Sequence, residues 1–106
     1  MADKKSGKGT DRKEDIQVLD RTKKPKRYKV ILHNDNYTPM EFVVYILEQV
    51  FHHTPASATR IMLTVHNSGI GVAGVYSHEI AEAKTARTTR VSREAGYPLM
   101  VTTEPE

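Results

Sequence analysis

The apolar and polar residues of the chain alternate between positions 28 and 33. Positions 28, 30 and 32 are apolar and Lys29 and His33 are polar, while Ile31 breaks the alternation. A period of two predicts a β-strand, and the extra apolar position predicts at least one well-buried face. The Asn-Asp-Asn run at 34–36 then predicts a turn, because these side chains bond their own backbone and tolerate left-handed conformations.

Helical spacing replaces the alternation at the next segment. Thr38 and Glu41 match a capping box, in which each side chain accepts from the backbone N–H of the other residue. Pro39 suits the first helical position, where its missing N–H costs nothing. The apolar residues that follow form one broad helical face, and they are Met40, Val43, Val44, Leu47, Val50 and Phe51.

A second helix and a second strand are expected next. Thr54 and Pro55 mark the start of the helix, which runs to about Asn67 before Gly69. The segment 71–76 is typical of a short strand whose glycines allow another backbone to approach closely.

A third helix and a third strand complete the predicted elements. Ser77 suits the cap of a helix of about 18 residues that ends at Gly96, just before Pro98. Residues 99–103 are typical of a strand. The order β-α-α-β-α-β predicts an α+β fold, a single small domain with one small sheet packed on three helices.

Charge is distributed unevenly along the 106 residues, although the net charge is only +3. Positions 1–27 contain ten Lys or Arg against five Asp or Glu, whereas the remainder contains six against eight. Few apolar residues and no periodicity predict a disordered basic N-terminal extension over 1–26, followed by a folded domain over 27–106. The extension lacks the aromatic residues that stack on bases, so we expect no nucleic-acid partner.

Composition and motifs exclude several classes of protein. The absence of cysteine excludes disulfides, thiol catalysis and thiolate metal sites. No apolar run approaches the ~18 residues needed to span a bilayer and no signal peptide is visible, which predicts a cytoplasmic protein without a membrane partner. Histidine pairs at metal spacing, nucleophile elbows, P-loops and dinucleotide fingerprints are all missing. We therefore expect no enzyme, no metal site and no cofactor.

The segment 28–44 places hydrogen-bond acceptors beside apolar surface. Carboxylate and amide oxygens at 34–36 accept from the three donors of an ammonium group, and an adjacent apolar pocket takes a side chain by burial. This combination suits a cationic head with an apolar side chain, such as the first residue of a peptide. An ordinary polar turn before a helix has the same pattern and stays open as the alternative.

Three motifs give the chain a specific resemblance to a known family. They are NDNYTPMEFV at 34–43, MLTVHNSG at 62–69 and AEAK at 81–84. In this order, within one stretch from Tyr28 to the C-terminus, they resemble the ClpS family of bacterial adaptors. These adaptors deliver N-degron substrates to a Clp AAA+ unfoldase. The family's compact α/β domain with a flexible N-terminal extension agrees with the predicted order of elements.

The resemblance implies a role for each matching side chain. Asn34 and His66, supported by Asn36, are expected to hold the α-amino group of the substrate, which requires a neutral imidazole. Met40 matches a gate residue that collides with β-branched side chains, so N-terminal Leu, Phe, Tyr and Trp are the expected ligands. The implied pocket for the first side chain consists of Asp35, Thr38, Met40, Val43, Met62, Val65 and Leu99.

The resemblance also implies partners and a function. Docking on the N-terminal domain of the Clp AAA+ unfoldase is implied for Tyr37, Glu79, Glu82 and Lys84, and the extension is implied to take part in substrate transfer. The expected function is a monomeric adaptor that binds N-degron peptides and proteins and delivers them to a ClpAP-type AAA+ protease.

One departure from the family pattern and two alternative functions remain. The family usually has Asn-Asp-Asp where this chain has Asn36 in the third position, and a lost charge-assisted hydrogen bond predicts affinity weakened by about 0.5–1.5 kcal/mol. One alternative is a Clp unfoldase regulator that binds the unfoldase without recognising N-degrons. The other is a translation-factor-binding module, since the C-terminal domain of the ribosomal stalk protein is a related small α/β fold.

Overall fold

Six elements form the domain, in the order that the sequence predicts. The structure is a computed structural model and describes residues 25–106, so almost all of the predicted extension over 1–26 lies outside the described residues. The elements are β1 (Arg27–His33), α1 (Met40–Gln49), α2 (Pro55–Ser68), β2 (Ile70–Ser77), α3 (His78–Glu94) and β3 (Met100–Pro105). The predicted α+β class and the β-α-α-β-α-β order are confirmed.

The three strands form one antiparallel sheet with β1 in the centre. The order is β2-β1-β3, with His33 at the end of β1 paired to Ile70 on one side and Met100 on the other. At the other end of β1, Arg27 pairs with Ser77. The loop after β1 and the beginnings of β2 and β3 therefore meet at one end of the sheet, and α3 begins at the opposite end.

The helices pack on one face of the sheet. Val30 and Leu32 of β1 are fully buried on that face and belong to a core with residues of α1, α2 and α3. Ile46 and Leu47 are the fully buried residues of α1. This core holds the N-terminal end of α1 and the C-terminal end of α2 against the loop that follows β1.

Two of the three predicted helix starts are confirmed by their caps. The Thr54 hydroxyl accepts from the Ser57 N–H at 3.2 Å, and the Ser77 hydroxyl accepts from the Ile80 N–H at 3.4 Å. Gly69 ends α2 with φ 93°, in the left-handed region that glycine favours.

The predicted capping box at the start of α1 is wrong. Pro39 is the N-cap of α1, not its first helical residue, and no side chain bonds the free N–H groups there. The Thr38 hydroxyl instead donates to the Asp35 carboxylate at 2.8 Å. This charge-assisted bond is roughly twice as strong as a neutral one, so it holds the Thr38 side chain toward the loop and not toward the first turn of the helix.

Candidate functional site

The Asp35 carboxylate organises the loop between β1 and α1. Its Oδ1 accepts from the backbone N–H groups of Tyr37 and Thr38, both at 2.7 Å, and its Oδ2 accepts from the Thr38 hydroxyl at 2.8 Å. Partial burial raises the pKa of Asp35, but the three hydrogen bonds and the positive charge of Arg93 outweigh it and hold the pKa below its usual value. The carboxylate is therefore ionised at neutral pH.

A backbone hydrogen bond joins this loop to the end of α2. The Asn34 N–H donates to the Gly69 carbonyl at 2.8 Å, and the Gly69 N–H donates to the Val65 carbonyl at 2.9 Å. His66 lies in the last turn of α2, immediately before this junction. Asn34 and His66 are both exposed, and this junction brings the two side chains expected to bind an amine to the same region.

A cavity of about 230 Å³ opens between the loop, α1 and α2. Its lining contains every expected amine-binding and pocket residue except Leu99, namely Asn34, Asp35, Asn36, Thr38, Met40, Val43, Met62, Val65 and His66. Leu99 lies in the core at 1% exposure, and its carbonyl accepts from the Arg93 guanidinium at 2.9 Å. The structure thus brings the predicted site together and leaves Leu99 outside its lining.

The lining divides into an apolar floor and a polar rim. Val43 and Val65 are 6% and 2% exposed, whereas Asn34, Asn36 and His66 are exposed. Drug-sized ligands usually occupy about 300–1,000 Å³, so this smaller cavity suits a single amino-acid residue. The lining holds an ionised carboxylate and neither Lys nor Arg, which favours a cationic group at the rim.

Gly71 of β2 determines how closely this strand approaches the floor. A Cβ added at Gly71 would lie 2.6 Å from Cγ2 of Val65, a distance that real side chains do not reach. The predicted close approach at the glycines of this strand therefore occurs directly behind a lining residue. The contribution of Arg93 was not predicted, because its charge acts on Asp35 from the far end of α3.

Comparison with known proteins places the chain in a family. The family model described as "ATP-dependent Clp protease adaptor protein ClpS" matches residues 23–102. The ClpS adapter of Lawsonia intracellularis is 53% identical over 88 residues, which cover 83% of this chain and 81% of the relative. The ClpS adapter of Caulobacter vibrioides (strain NA1000 / CB15N) is 45% identical over 109 aligned positions, which cover both chains fully. The chain belongs to the ClpS family.

A solved ClpS structure supports the same assignment at the level of the fold. Agrobacterium tumefaciens ClpS2 bound to L-phenylalaninamide aligns with a TM-score of 0.76 and 48% identity, covering 78% of this chain and 100% of that one. ClpS proteins are adaptors of Clp proteases, and this chain is one of them. The resemblance stated from the motifs is thereby confirmed.

Three of the four residues expected to dock on the unfoldase lie at opposite ends of β1 in the ClpS domain. Tyr37 is 78% exposed in the loop beside the cavity. Glu79 and Glu82 are exposed at the start of α3, which follows the pairing of Ser77 with Arg27 at the opposite end of β1. The seven residues of β1 span about 20 Å, so the structure does not bring Tyr37 and the two glutamates together.

Lys84, the fourth residue, has partners within the domain. Its Nζ donates to the Val50 carbonyl at 2.7 Å and lies 5.3 Å from the ring centroid of Tyr76 and 5.8 Å from that of Phe51. The ammonium therefore holds the C-terminal end of α1 against α3, a contact between residues 34 positions apart.

Within residues 25–106, no group of three or more His, Asp or Glu is placed to hold a metal ion. No helix in this range has both the length and the apolar character needed to cross a membrane.

Proposed function

We propose that this ClpS protein binds the free N-terminal residue of a substrate, when that residue is Leu, Phe, Tyr or Trp. The observation that carries the proposal is the 230 Å³ cavity, which joins an apolar floor to a rim of acceptors without a Lys or Arg. The related Agrobacterium protein was solved with L-phenylalaninamide, a molecule with an α-amino group and an aromatic side chain. The same chemistry fits the cavity of this chain.

The α-amino group is assigned to the rim. The amide oxygen of Asn34 and a ring nitrogen of His66 each supply a lone pair, and the oxygen of Asn36 supplies another. An ammonium donates three hydrogen bonds, so these acceptors match its capacity. His66 accepts only as the neutral imidazole, and protonation replaces attraction by repulsion between two cations. The ionised Asp35 adds a favourable field without giving up its own hydrogen bonds.

The first side chain is assigned to the floor formed by Val43, Met62 and Val65. Burying a large apolar side chain there is worth about 1.5–3 kcal/mol. Met40 is 42% exposed at the start of α1 and lines the cavity, a position from which it obstructs side chains branched at Cβ. Leu99 shares the core cluster with Val43 and Val65, so we assign it to the support of the floor.

Delivery to a ClpAP-type AAA+ protease is the second part of the proposal. Exposed Glu79 and Glu82 lie at the other end of β1 from the cavity, so the N-terminal domain of an unfoldase can dock there without covering a bound substrate. Tyr37 is assigned to a contact near the cavity. In this proposal the protein acts in the cytoplasm as a non-catalytic monomer, with the extension 1–26 preceding the adaptor domain 27–106 and taking part in transfer.

Fluorescence polarisation at pH 7.5 tests the binding step. The labelled peptides differ only at residue one, which is Phe, Leu, Tyr, Trp, Val, Met or N-acetyl-Phe. We expect binding of the four bulky residues, loss on acetylation and exclusion of Val. If no peptide binds, the protein is better explained as a Clp regulator that does not recognise N-degrons.

A further inference from the structure

The sheet has a second face, opposite to the helices. Val30 and Leu32 point toward the helices, so the alternating residues Ile31 and His33 point away from them. Ile31 pairs with Val72 and Thr102, and paired residues of an antiparallel sheet point to the same face. Ile31 is buried at 5% exposure and yet belongs to no part of the helix-side core.

An exposed apolar strip occupies this second face. Its outer members remain 41–54% exposed, and the strip consists of Ile31, Ile70, Val72 and Met100. The two polar side chains between them satisfy each other, since Nε2 of His33 lies 2.8 Å from Oγ1 of Thr102. A contiguous apolar surface of this kind marks an interaction site more often than isolated exposed residues do.

The apolar strip begins at the rim of the cavity. Asn34, a rim residue, directly follows His33, which pairs with both Ile70 and Met100. The Asn34 N–H also donates to the carbonyl of Gly69, the residue before Ile70. The strip is therefore within reach of a peptide whose first residue occupies the cavity.

We propose that the apolar strip binds residues 2–5 of the substrate peptide and favours apolar side chains there. This proposal rests on the proposed recognition of the N-terminal residue. An extended peptide rises about 3.3 Å per residue, and three strands spaced about 4.8 Å apart offer about 10 Å of surface, enough for three or four residues. The strip contains no charged side chain, so acidic residues gain no partner on it.

Peptides with a constant Phe at residue one and different residues 2–5 test the proposal. One peptide carries Leu and Val at these positions, a second carries Ser, and free L-phenylalaninamide serves as a competitor that lacks them. The protein variant is Ile70→Thr with Val72→Thr, which keeps β-branched residues in the strand. Ile80→Thr is the matched control, because Ile80 is equally exposed at 49% but lies at the start of α3.

We expect the wild type to bind the apolar peptide about threefold to tenfold more tightly than the Ser peptide. The double variant loses this preference but binds the Ser peptide and L-phenylalaninamide as the wild type does, and Ile80→Thr changes nothing. An unchanged preference in the double variant overturns the proposal. Sedimentation that shows a dimer dissociated by the double variant also overturns it, because a second copy then covers the strip. Equal binding of acetylated and free Phe would instead refute the N-terminal recognition itself.

Discussion

Replacing Lys84 by Met tests whether this side chain stabilises the domain from within. The Lys84 ammonium donates to the Val50 carbonyl at 2.7 Å, which leaves the end of α1 hydrogen-bonded to α3. Methionine keeps an unbranched apolar stem but removes the charge and the donor. The variant therefore isolates the polar contact from the packing of the stem.

The expected loss follows from two interactions. A hydrogen bond from a charged donor contributes about 1.5–3 kcal/mol. The rings of Tyr76 and Phe51, with centroids at 5.3 and 5.8 Å, add about 0.5–1 kcal/mol where solvent has partial access. Because the three groups share one ammonium, the contributions do not add fully, and we expect a loss of about 2 kcal/mol. For a domain of this size the melting temperature falls by about 8–16 °C.

Urea denaturation followed by circular dichroism measures this loss. Lys29→Met is the matched control, since Lys29 pairs with Glu104 at 3.8 Å on the surface and such pairs contribute about 0–1 kcal/mol. Peptide affinity measured below the transition should stay unchanged, because Lys84 lies away from the cavity. If Lys84→Met unfolds at the wild-type urea concentration, the internal role is refuted and a defect in delivery must come from docking.

Three further predictions concern the loop and α3. Asn36→Asp should tighten binding of an N-terminal Phe peptide about twofold to tenfold, measured by polarisation, and leave the ratio of the Phe and Leu peptide affinities unchanged. If the variant binds the Phe peptide with the wild-type affinity, the missing charge has no role in binding. Folding lowers the pKa of Asp35, so the ionised carboxylate stabilises the folded state. This stabilisation is complete above the pKa of the unfolded chain, about 3.9, and is lost as the pH falls through the lower pKa of the folded state. The difference in unfolding free energy between wild type and Asp35→Asn should therefore shrink below about pH 4, whereas a constant difference down to pH 2 contradicts it. Thr88→Val should raise the free energy of unfolding in urea by up to about 1 kcal/mol, because the buried Thr88 hydroxyl has no partner within residues 25–106. Thr64→Val should not raise it, because the exposed Thr64 hydroxyl donates to the Arg60 carbonyl.

Local patterns predicted the parts of the fold that depend on neighbouring residues. The caps at Thr54 and Ser77 require partners only three residues away, and both hydrogen bonds are present. The capping box failed because two local motifs require different orientations of one side chain, and the Thr38 hydroxyl donates to the Asp35 carboxylate. A sequence pattern shows which residues can form a hydrogen bond. It does not show which of two possible partners forms it when both lie three residues away.

The residues that line the candidate cavity were predictable from motifs and only partly from spacing. Helical periodicity assigned Met40 and Val43 to the same apolar face, yet Met40 is 42% exposed at the cavity and Val43 is 6% exposed on its floor. Leu99 is also apolar but is buried in the core at 1% exposure, directly before β3 begins at Met100. How deeply an apolar residue is buried depends on packing between elements that are distant in the sequence, and residue spacing does not predict that packing. The hydrogen bond from Lys84 to Val50 is a second example, since it joins residues 34 positions apart.

The candidate cavity and the two docking glutamates lie near opposite ends of β1, and this arrangement bears on how the adaptor works. The cavity is built from the loop after β1 and the ends of α1 and α2, whereas Glu79 and Glu82 lie at the start of α3, near the other end of β1, a strand about 20 Å long. The strand between them is central in the sheet, and its Val30 and Leu32 are fully buried, so a shift of this strand would disrupt the core. The clearest physical basis for coupling between distant sites is an element with two arrangements that both ligands bias. In the proposed function, docking at the glutamates alone should therefore leave the affinity for an N-terminal peptide unchanged, and a change on unfoldase binding is assigned to the contact at Tyr37.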